Sequence, residues 1–372
     1  MKQILRSGAA VAILVLAVAS CKKDDDNNTP PVVNPKDSTL ALRPYTVPTT
    51  YSFSNANYAT ATQRAKIAIE LDNYLKTANV GAAKVALDAV KVTNLFENTN
   101  APYTDASLNT SGQNLRATSD MASTIKAYAD SVVIFNNEVT ASKGTGGYVA
   151  RGANKIIVGP TGLEYGQAYT KGIMATLFFK EPVRLLSAVK AMKAIDTAAA
   201  QALWDEAFGL LAIPADYDSS KTYASTDANR PLLWGGYLAE RGKPIQAGGT
   251  IFQAFLKGRA AIGGFDSTVR NQQIDIILNK WEQLSAAAAL NYVTAPTASS
   301  AVGNYGTQLH ALSEGFGFIL TLKYRPSTSK LTEADFRTLS AIINTDFYTL
   351  VNQPGFTDLV KAQTILKNTY GL

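Results

Sequence analysis

Apolar residues recur along this chain at spacings of three and four, the period of one helix face. In residues 59–78, ATATQRAKIAIELDNYLKTA, Ile67, Leu71, Tyr74 and Leu75 fall on one side. Residues 119–139 place Met121, Ile125, Tyr128, Val132 and Phe135 in the same way. Residues 266–293 repeat the pattern with Ile274, Ile277, Trp281, Leu284 and Ala288, and Asp266 stands where an N-cap is expected. Thr332 takes that position before EADFRTLSAII. Strand-like alternation is scarce. The pattern predicts an all-α, multi-helix bundle. Turn-rich loops are expected at 96–113, 142–162 and 212–231. The last divides the body into an N-terminal helical half, 45–212, and a C-terminal half, 213–372, packed together.

The first 44 residues break the pattern. Lys2 and Arg6 precede an apolar run from Ala9 to Val18, then Ala19, Ser20 and Cys21. This is the layout of an export signal, too short for a comfortable membrane span. The stretch VASC resembles a bacterial lipobox. That resemblance implies that 1–20 is a lipoprotein signal peptide and that Cys21 carries the lipid that holds the chain to a membrane. KKDDDNNTPPVVNPKD follows, polar and poor in core formers, so 21–44 is expected to be a disordered tether reaching at most about 80 Å. Its opening resembles the surface-export signal of some Bacteroidota-type lipoproteins. The expected location is the bacterial outer membrane, facing the periplasm or displayed on the surface. Cys21 is the only cysteine, so no disulfide braces the body.

Composition excludes more than it identifies. The net charge is +6 for the whole chain and +4 once Lys2 and Arg6 are removed with residues 1–20. No dense basic patch is interleaved with aromatics, so no nucleic-acid partner is expected. HExxH, GxSxG, the P-loop lysine motif and CxxC are all missing, and GTGG at 144–147 lacks the spacing of a dinucleotide fingerprint. No catalytic residue is assigned, and binding of a small ligand or an envelope protein is favoured over catalysis. With one histidine, a metal site would need carboxylates or carbonyls as well, which suits iron or calcium better than structural zinc.

Polar clusters on apolar helices supply the candidate ligand or metal residues. Glu164, Gln167 and Lys171 share one face of GLEYGQAYTKGIMATLFF, and the nearby Gly162, Gly166 and Gly172 suggest close approach of a helix or ligand. Asp205 and Glu206 lie between Trp204 and Phe208. His310, the only histidine, precedes Glu314 by four residues, the same-face spacing. Arg259 and Glu282 complete the set. Each has a structural alternative: a solvated face for Glu164 and Lys171, an Arg259–Glu282 ion pair, a core histidine bonded to a carboxylate, and core packing for Trp204 and Trp281. A shift of 143 residues lays Gln167 on His310, Lys171 on Glu314, Gly172 on Gly315 and Leu177 on Leu320. A duplication with this register would bring the two polar faces together between the halves.

The ordered blocks GLEYGQAYTKGIMATL, LWDEAFGLL, FLKGRAAI, KWEQL and LHALSEGFGFILTLKYRPSTSKLTEADF resemble a family of bacterial envelope lipoproteins classed as domain of unknown function 4856. A more distant resemblance is to the imelysin-like proteins, exported two-bundle helical proteins associated with iron uptake, some of them described as peptidases. Their Gly-x-His-x-x-Glu motif is altered here: Gln308 stands at the glycine, and Glu314 follows His310 at i+4 rather than i+3. The resemblance implies an imelysin-like fold and a role in iron acquisition, with a metal-dependent hydrolase using Glu314 or Glu164 as base, or a structural envelope scaffold, as the alternatives.

Overall fold

The computed structural model describes residues 41–116, 121–192 and 197–372. The expected signal sequence, Cys21, most of the expected tether and residues 119–120 of the second predicted helix lie outside these. Helices dominate, as the apolar period predicts. In chain order they are α1 (Ala59–Lys76), α2 (Ala89–Glu97), α3 (Ala106–Asn109), α4 (Ala122–Phe135), α5 (Tyr165–Thr176), α6 (Lys180–Ala191) and α7 (Thr197–Leu211). They continue with α8 (Trp234–Glu240), α9 (Ala247–Gly263), α10 (Ser267–Thr294), α11 (Tyr305–Thr321), α12 (Glu333–Ile343), α13 (Phe347–Asn352) and α14 (Thr357–Tyr370).

The caps explain where several of these begin. Asp266 accepts from Val269 N–H at 2.9 Å and starts α10, and Thr332 accepts from Asp335 N–H at 3.1 Å and starts α12. Asn304 does the same for α11 through Thr307 N–H at 3.0 Å. Each bond satisfies a donor that the first turn of a helix leaves open.

The expected loop at 142–162 is in part a β-hairpin. Strand β1 (Gly147–Arg151) pairs antiparallel with β2 (Asn154–Val158), Gly147 opposite Val158 and Arg151 opposite Asn154. The chain reverses through Gly152, whose φ of +61° suits a residue without a Cβ. Ile156, Ile157 and Val158 are buried, so the apolar run that the glycines obscured is a strand closed against the helices. Gly306, in the first turn of α11, allows that contact. A Cβ there would lie 2.1 Å from the Ala150 carbonyl oxygen.

Residues 39–372 form one compact unit. α10 packs between α9, α11 and α14; α5 lies against α11 and α4; α7 joins α1, α6 and α9. The core therefore runs unbroken past residue 212. The 212–231 loop closes on itself, since Leu232 N–H donates to Ala212 O at 2.9 Å. Trp204 and Trp281 are fully buried core residues beside Phe255 and Phe179. Residues 41–44 have no regular structure, yet Arg43 N–H donates to Gly264 O at 3.0 Å. Among the described residues no helix is long and apolar enough to cross a membrane.

Candidate functional site

α5 and α11 carry polar residues on the faces they turn toward each other. They approach closely because Gly317 has no side chain: a Cβ there would sit 2.0 Å from the Lys171 Cβ. Gly172 makes room on the other side, for Ile125 of α4. Of the other glycines, Gly166 faces open space and Gly315 makes ordinary contact with Tyr292, so neither is required by a neighbour.

At this seam four ionisable side chains form a ladder. Glu164 Oε2 lies 2.7 Å from His310 Nδ1, and His310 Nε2 lies 3.1 Å from Glu314 Oε1. Glu314 Oε2 accepts from the Tyr237 hydroxyl at 2.7 Å and lies 3.6 Å from the Lys171 ammonium. Glu164 is the residue that opens α5, but its side chain turns to His310 instead of capping the helix. Its backbone N–H donates to Ser313 Oγ at 2.7 Å, which joins the start of α5 to the middle of α11. Glu164 is 1% exposed, Lys171 7% and Glu314 8%, so these charges have little water to rely on and need each other.

The ladder shifts the protonation of His310, Glu314 and Tyr237. Both His310 nitrogens face carboxylates, which only accept, so both carry protons. Burial alone would lower the His310 pKa; the hydrogen bonds and charges of Glu164 and Glu314 outweigh it and raise the value to about 9. Burial would likewise raise Glu314, but the Lys171 charge and the His310 hydrogen bond hold it well below the usual carboxylate range. Burial and the Glu314 charge push the Tyr237 hydroxyl well above its ordinary value. At neutral pH neither His310 nor Glu314 is poised to take a proton from a substrate. The arrangement as it stands is closed on itself. Each His310 nitrogen is engaged by a carboxylate and the Lys171 ammonium stands 3.6 Å from the second of them, so a metal ion would have to displace those bonds and a proton. Among the described residues no group of three or more His, Cys, Asp or Glu side chains is set to hold a metal ion.

The ladder borders a cavity of about 620 Å³. Its wall includes Glu164, Gln167, Lys171, His310 and Glu314, five of the nine candidates. Lys76, Asn79, Arg151 and Lys155 also line it, and sequence reasoning missed all four. The signal for Lys155 was a charge set directly against the apolar run Ile156–Val158. Gln167 is 7% exposed, and its Oε1 is buried without a hydrogen-bond partner.

The remaining candidates lie elsewhere. Arg259 pairs with Asp205, not with Glu282. Its Nε donates to Asp205 Oδ1 at 2.7 Å, and both side chains are almost wholly buried. The choice follows from packing, because α7 lies against α9. Tyr51 OH at 2.7 Å and Asn57 N–H at 3.1 Å also donate to Asp205, so this cluster fastens the segment before α1 to the body. Glu206 meets Arg64 at 3.0 Å, partly exposed. Glu282 accepts from Tyr370 OH at 2.6 Å and from Ser329 Oγ, tying α14 and the loop before α12 to α10; burial raises its pKa.

No curated protein and no solved structure matches the chain. Residues 196–369, a stretch that holds nearly all of α7 to α14 and with them His310 and Glu314, match the model of the family described as Domain of unknown function (DUF4856).

Proposed function

We propose that the chain is a binding protein of the cell envelope and that it takes a small polar ligand in the cavity at the α5–α11 seam. The observation that carries this reading is Gln167. Its amide oxygen is buried without a partner, and the residue lines the same cavity as the four ladder residues. A buried acceptor left unpaired costs about 1–3 kcal/mol, which a donor on a ligand, or an ordered water in its place, recovers. The cavity is of the size that small-molecule sites have, about 300–1,000 Å³. The ladder supports binding over hydrolysis, since both of its carboxylates are engaged by His310. The iron-acquisition role implied by the imelysin-like resemblance rests on that resemblance. A wall of ammonium, guanidinium and amide groups would take iron as an anionic chelate rather than as a bare ion.

Native mass spectrometry of the chain purified from its own envelope tests the reading. A small-molecule adduct is expected, weakened in Gln167→Ala while the melting temperature stays unchanged. No adduct, together with no thermal stabilisation by fractions of a small-molecule extract, would leave a structural scaffold as the better account. The envelope location is supported by the signal-like residues 1–20 and the sole cysteine at 21. In the proposed arrangement Cys21→Ser moves the chain from the membrane fraction to the soluble one and abolishes labelling by a fatty-acid analogue. Retention in the membrane fraction would remove the lipid anchor.

A further inference from the structure

The charges around the seam cavity do not cancel. His310 and Lys171 are balanced by Glu164 and Glu314. Lys76 is balanced by Asp72, whose Oδ2 lies 2.6 Å from its ammonium. Arg151 and Lys155 remain, both delivered by the β-hairpin, and among the described residues neither has a carboxylate at ion-pair distance. Lys155 is the more telling of the two. It is 4% exposed, and its ammonium donates to the carbonyl oxygens of Ala82 at 3.3 Å and Ala83 at 2.6 Å. Two of its three donors are used and none of its charge is compensated. A buried cation without a counter-charge is costly, and the usual remedy is an opposite charge brought beside it. Arg151 is exposed and lines the same cavity, with a planar fork suited to an oxyanion.

On the reading that this cavity is the ligand site, we propose that its ligand is a small oxyanion carrying two negative charges, held by Arg151 and Lys155. The surplus of two positive charges matches that number. Gln167 Oε1 then accepts from an N–H or O–H group elsewhere on the same molecule. Two sources supply this chemistry, a dicarboxylate and a phosphate.

Isothermal titration of the full chain with succinate, with inorganic phosphate, with acetate as the singly charged control and with glucose as the neutral one separates them. At least one dianion should bind tenfold or more tighter than acetate, and the tighter of the two identifies the source. Binding should weaken as salt is raised. Arg151→Gln should lower affinity at least tenfold without moving the urea midpoint, because among the described residues the Arg151 guanidinium has no carboxylate at ion-pair distance and glutamine keeps the backbone pairing with Asn154. Lys155→Met should lower affinity too, but it also releases the carbonyls of Ala82 and Ala83, so Arg151→Gln carries the test. Acetate binding as tightly as either dianion, no dianion binding at millimolar concentration, or full affinity in Arg151→Gln each overturns the proposal. Should a neutral or cationic compound co-purify and be lost in Gln167→Ala, the seam is a ligand site and only the dianion assignment falls. If nothing co-purifies and nothing binds, both readings fall.

Discussion

Replacing His310 by glutamine removes the positive group between two buried carboxylates, and the pH dependence of the damage can be worked out in advance. In the folded chain the His310 pKa is raised to about 9; in the unfolded chain it returns to about 6.5. The folded value is the higher one. The stabilisation is therefore complete below about pH 6.5 and is lost as the pH rises through about 9. At about 1.4 kcal/mol per pH unit, the gap is worth about 3 kcal/mol. The groups facing the ring are Glu164 and Glu314, with Asn79 behind the first and Lys171 and Tyr237 behind the second. Glu314 is held below the carboxylate range and Tyr237 above its ordinary value, so neither titrates in this window. His310 is the only histidine, and Cys21 and the terminal amine are common to both proteins, so subtraction removes their contribution. The assay is urea unfolding of the wild type and of His310→Gln at pH 6 and pH 9.5. The stability difference between the two should shrink by about 3 kcal/mol from the lower pH to the higher. A difference constant to within about 1 kcal/mol, or a histidine proton resonance titrating near the ordinary value, would refute the ladder.

Three further outcomes follow from packing and pairing. Gly317→Ala should destabilise by about 2 kcal/mol or more, because its Cβ collides with Lys171, whereas Gly315→Ala should be neutral or stabilise by up to about 1 kcal/mol; paired denaturant melts read both. Arg259→Met should cost about 3–5 kcal/mol by leaving Asp205 buried and unpaired, and adding Asp205→Leu should restore part of that loss in the same melts. Asp266→Ala should cost about 1 kcal/mol and raise amide exchange in the first turn of α10, since it removes both the cap and the bond from Tyr45.

Much of this fold could be read from the chain because helices announce themselves locally. The stripe from Ile274 to Ala288 and the caps Asp266 and Thr332 need no knowledge of distant residues. The His310–Glu314 step of the ladder was legible for the same reason, as a spacing of four on one helix. What joins Glu164 to it is the packing of α5 on α11, across nearly 150 residues, and no local pattern encodes that distance. Arg259 met the same limit: the sequence suggested Glu282, and it is the packing of α7 against α9 that brings Asp205 to it instead. The hairpin was hidden by composition, since the glycines of GTGGYVARGANK read as turn and the run Ile156–Val158 is short. With the hairpin went Arg151 and Lys155, so the sequence pointed to the balanced half of the cavity and missed the unbalanced half.

The balance itself bears on purpose. Two helices that approach as closely as α5 and α11 do at Gly317 do not need ionised groups to stay together, and well-packed apolar side chains in place of a buried ion pair are often as stable or more so. A ladder at this seam is thus a poor device for stability alone. Its physical effect is to hold charges in fixed positions beside a cavity before anything enters it. Lys171 is tied to Glu314 and His310 to Glu164, so neither cation collapses onto an incoming anion, and the attraction is left to Arg151 and Lys155 at the hairpin. Preset charges lower the reorganisation that binding requires. A ligand drawn to the hairpin side and recognised through Gln167 on the helix side would be read at two ends, so cutting Arg151 should weaken every dianion, whereas cutting Gln167 should weaken only those that carry a donor at their far end.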